Sequence, residues 1–169
     1  MSTKKISIKK RVVSLITVIL LLGIDQIIKY YVDLYLKDSS PVVIIRNVLQ
    51  LNYLENDGAM MGFMGGKTEI MTVLAVICVI IMLVVIFSGL IRDPVDYWCC
   101  LLIISGGLGN IIDRVYRGYV IDYIEALFVD FYIFNFADCL ITVSSFLLIF
   151  YQIYLIYKDS KNKKAGEIK

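Results

Sequence analysis

The chain contains no histidine. A Ser-His-Asp or Cys-His site and a His-ligated metal are therefore excluded, and acid–base chemistry falls to the carboxylates. Two of them stand in surroundings that a carboxylate normally avoids. Asp122 follows Gly118-Tyr119-Val120-Ile121 and is flanked by aliphatic and aromatic residues. Asp138 lies in Phe134-Asn135-Phe136-Ala137-Asp138-Cys139, just where a long apolar block begins. Alone, Asp138 reads as a helix N-cap and Asp122 as part of a capped surface helix. Brought to one boundary, they are the best general acid/base candidates in the chain. Two carboxylates a few ångströms apart cannot easily both ionise, so they share one proton. One acts as base toward a water while its partner protonates the carbonyl or the leaving nitrogen. That chemistry is amide hydrolysis without a covalent intermediate.

Ionisable groups inside or at the ends of apolar blocks are expensive to keep, and so are functional candidates. Asp25 precedes Lys29 by one helical turn. The two read equally as an ion pair on a helix or as support for a site from inside a helix bundle. Asn110, Asp113 and Arg114 stand at i, i+3 and i+4 and share one helical face. They form either a helix-end network or a fixed cation placed where charge develops. Arg117 is assigned to another face, as a plain surface charge. Asn56, Asn110, Arg114 and Asn135 are the groups available to hydrogen-bond a carboxylate pair. Cys78, Cys99, Cys100 and Cys139 fall in or beside apolar blocks without a C-x-x-C pair, which marks them as small buried apolar residues.

The elements that must position these groups follow from composition. Of 169 residues, 59% are hydrophobic and only 19% charged, with a mean hydropathy of +0.79. A soluble domain is nearer half apolar and a quarter charged. The excess here lies in long blocks, which points to a membrane protein. A net charge of +2 is too small to suggest a nucleic-acid partner. The expected fold is an all-α membrane protein with four transmembrane helices, a small extracytoplasmic β-sheet and a short extracytoplasmic helix. The spans are expected at about 12–31, 70–91, 95–113 and 138–157, in a single integral membrane domain over 1–169. The basic start resembles a secretory signal, but no small-residue cleavage site follows, so an uncleaved first span is expected.

Basic residues cluster at both ends: Lys4, Lys5, Lys9, Lys10 and Arg11, then Lys158, Lys161, Lys163, Lys164 and Lys169. By the positive-inside bias both termini are cytoplasmic, with Arg92-Asp93-Pro94 a tight cytoplasmic turn and 158–169 a frayed tail. Residues 33–69 and 113–137 are then outer segments. Val42-Val43-Ile44-Ile45 and Leu49-Gln50-Leu51-Asn52-Tyr53 suggest short strands. Asn56-Asp57-Gly58, Gly62, Gly65 and Gly66 signal turns, leading into a Gly- and Met-rich loop. Asp122-Tyr123-Ile124-Glu125-Ala126-Leu127-Phe128 is expected to be the short interfacial helix.

Five segments, in order, carry a resemblance to a known family: Asp25-Gln26-Ile27-Ile28-Lys29, Asn56-Asp57-Gly58-Ala59-Met60-Met61-Gly62, Gly109-Asn110-Ile111-Ile112-Asp113-Arg114, Val120-Ile121-Asp122-Tyr123 and Phe134-Asn135-Phe136-Ala137-Asp138. The chain resembles lipoprotein signal peptidase, the signal peptidase II family of bacterial membrane aspartic peptidases, from about Arg11 to Tyr157. The resemblance implies that Asp122 and Asp138 are the catalytic dyad. It implies that Asp25, Lys29, Asn56, Gly58, Asn110, Arg114 and Asn135 support the dyad or contact substrate. The implied substrate is a lipid-modified prolipoprotein, cut just before its diacylglyceryl-cysteine, and no metal or other cofactor is required. The implied setting is a bacterial cytoplasmic membrane, with a monomeric enzyme surrounded by membrane lipids and its site at the outer boundary. Two positions depart from the family pattern: Met60 stands where an alanine is frequent, and Cys139 where a serine is frequent.

A transport protein is the main competing class, since polar residues in spans line ion routes. A transporter carries them near the midplane of the bilayer, whereas here the carboxylates gather at one boundary. A purely structural subunit leaves the clustered aspartates and asparagines without a purpose.

Overall fold

The computed structural model describes residues 7–58, 68–91, 93–129 and 131–167. The expected Gly/Met loop with Met60, Met61, Gly62, Gly65 and Gly66 lies outside the described residues, as do Lys4, Lys5, Arg92 and Lys169. The chain runs α1 (Ile8–Leu36), β1 (Val42–Ile45), β2 (Leu49–Asn56), α2 (Thr68–Phe87), α3 (Pro94–Arg117), β3 (Val120–Ala126) and α4 (Phe136–Glu167). Among the described residues, α1, α2, α3 and the Phe136–Lys163 part of α4 are long and apolar enough to cross a membrane. α4 runs on to Glu167, so the basic tail expected to fray continues the helix.

α3 is the central helix. Half of its apolar window (50%) is buried, against 17% for α1, 11% for α2 and 6% for α4. The outward faces of those three are apolar, with Leu20, Val84 and Phe150 each about 60% exposed or more. Such surfaces are stable only against hydrocarbon. Val79 and Ile86 of α2 pack on Tyr97, Leu101 and Ile104 of α3. Asp93 caps α3 by accepting from the Val95 N–H at 2.8 Å, with Pro94 in the first turn.

The three strands form one antiparallel sheet in the order β1-β2-β3. Val42–Ile45 and the Leu49 strand form as the β-branched and alternating patterns predict. The expected helix at 122–128 is instead β3. Gly118, at φ 85°, ends α3 in the left-handed conformation and donates its N–H to the Arg114 carbonyl at 3.1 Å. Only Tyr119 then separates helix from strand. Val120, Ile121, Tyr123 and Ile124 suit a pleated surface, and β2 offers an edge to pair with; non-local pairing overrides a local helical reading. Val32, Ile121 and Tyr123 form a small core that ties this sheet to the last turns of α1.

Candidate active site

Two backbone features bring distant carboxylates together. In the β2–β3 register Leu54 faces Asp122 and Asn56 faces Val120, so Asn56 and Asp122 are diagonal neighbours on one face. After β3 the chain folds back, and Ile124 and Phe134 exchange backbone hydrogen bonds at 2.7 and 3.0 Å. α4 therefore starts beside β3. Asn135 accepts from the Asp138 N–H at 2.9 Å, and Asp138 accepts from the Asn135 N–H at 3.1 Å. This is a reciprocal capping box: the N-cap is Asn135, and Asp138 stands at the third position, not at the cap as its sequence context suggests.

Four donors converge on the two carboxylates. Asp122 accepts from Asn56 Nδ2 at 2.8 Å and from Asn135 Nδ2 at 2.6 Å. Asp138 accepts from Asn110 Nδ2 at 2.8 Å as well as from the Asn135 N–H. Each amide is aimed by what holds its oxygen. Asn56 Oδ1 accepts from the Gly58 N–H at 3.1 Å, Asn135 Oδ1 from the Asp138 N–H, and Asn110 Oδ1 from Lys29 Nζ at 3.0 Å. With each oxygen occupied by a donor, the NH2 group must face a carboxylate. Burial, and next the charge of Asp138, push the Asp122 carboxyl up to about 7, against the hydrogen bonds from Asn56 and Asn135.

Beneath this layer lies a buried ion cluster. Lys29 is 0% exposed and spends its three N–H donors on Asp25 at 3.0 Å, Asp113 at 2.9 Å and Asn110. Asp25 in turn accepts from the Ala137 N–H at 3.1 Å, and Asp113 from the Ile121 N–H at 3.3 Å. The cluster thus grips the residue just before each of Asp138 and Asp122. Gly109 makes the approach possible, because a Cβ there would stand 2.5 Å from Asp25 Oδ2. Gln26 bridges the carboxylates of Asp25 at 3.2 Å and Asp113 at 3.3 Å.

Every site residue read from the sequence falls in or beside this network. Asp25, Lys29, Asn56, Asn110, Asn135, Asp122 and Asp138 form its body. Arg114 donates to the Gly58 carbonyl at 3.4 Å, and its Nε is buried without a partner among the described residues. The reading placed Asp113 on the Asn110 face but did not count it among the residues supporting the dyad, though its contact with Lys29 brings it in. It also misassigned Arg117, which lies 3.5 Å from Asp113 and 3.9 Å from Asp33. Seven residues after Asn110 is two full turns, so Arg117 shares that face. Its charge, with that of Lys29, formally balances Asp25 and Asp113. The cysteines of the described residues are unpaired, and Cys78 is exposed where a buried residue was expected.

The model of the signal peptidase (SPase) II family matches residues 17–154. The chain is similar to the lipoprotein signal peptidase of Clostridioides difficile, at 36% identity over 149 residues, 88% of this chain and 98% of the relative. It is also similar to that of Streptococcus pneumoniae, at 35% identity over 144 residues, 83% of this chain and 92% of the relative. A bacterial membrane enzyme solved by the in meso method at 2.3 Å resolution superposes with a TM-score of 0.79 and 28% identity, covering 96% of each chain.

Proposed function

The chain belongs to the signal peptidase II family, and from that premise we propose that Asp122 and Asp138 are the carboxyl–carboxylate pair that cuts its substrate. It is a multi-pass membrane protease that removes signal peptides from lipoprotein precursors. The cut falls immediately before the diacylglyceryl-modified cysteine. The single observation that carries the dyad assignment is the set of four donors on the two carboxylates, with each amide aimed by a fixed donor behind it. Such a shell restrains two like charges at close quarters, which a purely structural pair does not need.

The pair holds one proton between two carboxyl groups. The ionised member takes a proton from water as the oxygen adds to the scissile carbonyl carbon, and the protonated member gives its proton to the carbonyl oxygen. A neutral gem-diol results. It collapses as the first carboxyl, now protonated, gives that proton to the leaving nitrogen and the second, now ionised, recovers a proton from the diol, so the pair ends as it began. Arg114, whose buried Nε has no partner among the described residues, holds a substrate carbonyl through its planar fork. Asp25, Lys29 and Asp113 act by holding Ala137, Ile121 and the amide of Asn110.

The basic residues around the start of α1 and after Tyr157 orient both termini to the cytoplasm, which puts the sheet and the dyad at the outer membrane boundary. The scissile bond of a precursor anchored by acyl chains and a signal helix lies at that depth. The enzyme acts there as a monomer among membrane lipids. A purified enzyme assay with a diacylglyceryl-cysteine prolipoprotein peptide tests the reading. Mass analysis should find one cut, before the modified cysteine, and none with Asp138→Asn. Cleavage at another bond, or full turnover by that variant, contradicts it.

A further inference from the structure

At the end of the bundle away from the dyad, α1 and α2 leave a groove of about 410 Å³ floored by α3. Leu15 and Val18 of α1, Leu83 and Phe87 of α2, and Leu101 and Leu108 of α3 line it. Apart from Arg11, Ser14 and the Tyr97 hydroxyl, every lining side chain is hydrocarbon or aromatic. The hydroxyls of Ser14 and Tyr97 satisfy each other at 2.8 Å, so they offer little to a polar ligand. The groove is as large as many ligand pockets and suits only an apolar guest.

Its mouth is cationic. Arg11 lines it, and among the described residues no carboxylate pairs with Arg11. Lys10 stands over the Tyr97 ring at 3.6 Å, and the first turn of α1 has no acidic residue. The acids at the start of α3, the cap Asp93 and Asp96, are held by Tyr151 and Gln152 of α4 at 2.7 Å. These two acids are thus engaged with α4, and no ion pair links them to Arg11 or Lys10 among the described residues. An apolar slot capped by unpaired cations at the level of lipid headgroups matches one chemistry: an acyl chain joined to an anionic phosphate.

We propose that this groove binds one anionic glycerophospholipid from the leaflet that meets the start of α1, with an acyl chain between α1 and α2 and the phosphate on Arg11 beside Lys10. The site is independent of the dyad. The bound lipid fills the gap between α1 and α2, each of which packs on α3, and so holds them together without touching the reaction.

Native mass spectrometry of the purified enzyme in detergent, titrated with palmitoyl-oleoyl phosphatidylglycerol or phosphatidylcholine, tests this. The first should bind one copy tightly, and the second clearly more weakly. Arg11→Gln should weaken phosphatidylglycerol binding about fivefold, the effect of one basic residue at a lipid surface, while Arg11→Lys and the distant Arg46→Gln keep it. Val18→Trp, which fills the groove, should lose the tightly bound phosphatidylglycerol copy. Thermal unfolding without added lipid shows that each variant is folded. Equal binding of both lipids, or a phosphatidylglycerol affinity unchanged by both Arg11→Gln and Val18→Trp, overturns the proposal.

Discussion

Where α3 meets β3, the side chains of Asp25, Lys29, Asn110, Asp113 and Asn135 are all buried, and each bonds to another buried polar group. At the other end the polar contacts are separate ties between helices: Tyr151 to Asp93 and Gln152 to Asp96, both part-buried, and the buried Ser14–Tyr97 pair. Both ends hold helices together. The difference is that the ties at the α3 N-terminus end in themselves, whereas the bonds at its C-terminus pass through Asn110, Ala137 and Ile121 to two particular carboxylates. A buried network is a poor source of stability, because desolvation offsets much of its attraction. What it supplies is fixed direction.

Breaking the deep network should therefore have the largest effect. Lys29→Met leaves buried Asp25 without its cation and Asp113 with Arg117 alone, and removes a donor from the oxygen of Asn110. We expect about 3–5 kcal/mol of destabilisation, seen as a large drop in the unfolding midpoint in detergent, and loss of cleavage.

Arg114→Lys comes next. It keeps the charge but not the planar fork, and losing one charge-assisted bond to substrate should lower kcat/KM by on the order of 10- to 100-fold, about 1.5–3 kcal/mol. Arg117 is no control for this, since it contacts Asp113; Arg46→Lys is, and should cleave normally.

A milder perturbation is pH. Asp122 binds a proton up to about 7 in the folded protein, against 3.8 for a free carboxyl. Raising pH through about 7 removes the shared proton, so kcat/KM should fall on that side. The sign for stability is the same: between these values the folded state holds the extra proton, so stability declines as pH rises. The smallest effect belongs to the far end. Gln152→Ala should cost about 1 kcal/mol of stability and leave kcat/KM unchanged.

The sequence shows part of this design plainly. Four apolar blocks announce the spans, and the i, i+3, i+4 spacing announces the face of Asn110, Asp113 and Arg114. β3 is hidden because Asp122 to Phe128 has no clear period, and only the edge of β2 decides it. The role of Asp113 is hidden for a similar reason. Its partner Lys29 lies on another helix, and nothing local to either residue reports that they touch. The capping box, by contrast, is local; Asn135 and Asp138 stand three residues apart before an apolar run, a pattern readable in advance.

The central claim, that Asp122 and Asp138 act as one unit, is tested most directly by a double-mutant cycle. Single-turnover cleavage of a lipidated substrate peptide would be measured for Asp122→Asn, Asp138→Asn and the two combined, alongside the unfolding midpoint of each. Groups that act together are not additive, so each single variant should lose nearly all activity while staying folded, and the double should be no worse than either. Single variants that keep near-normal rates, or losses that simply multiply in the double, would contradict the account.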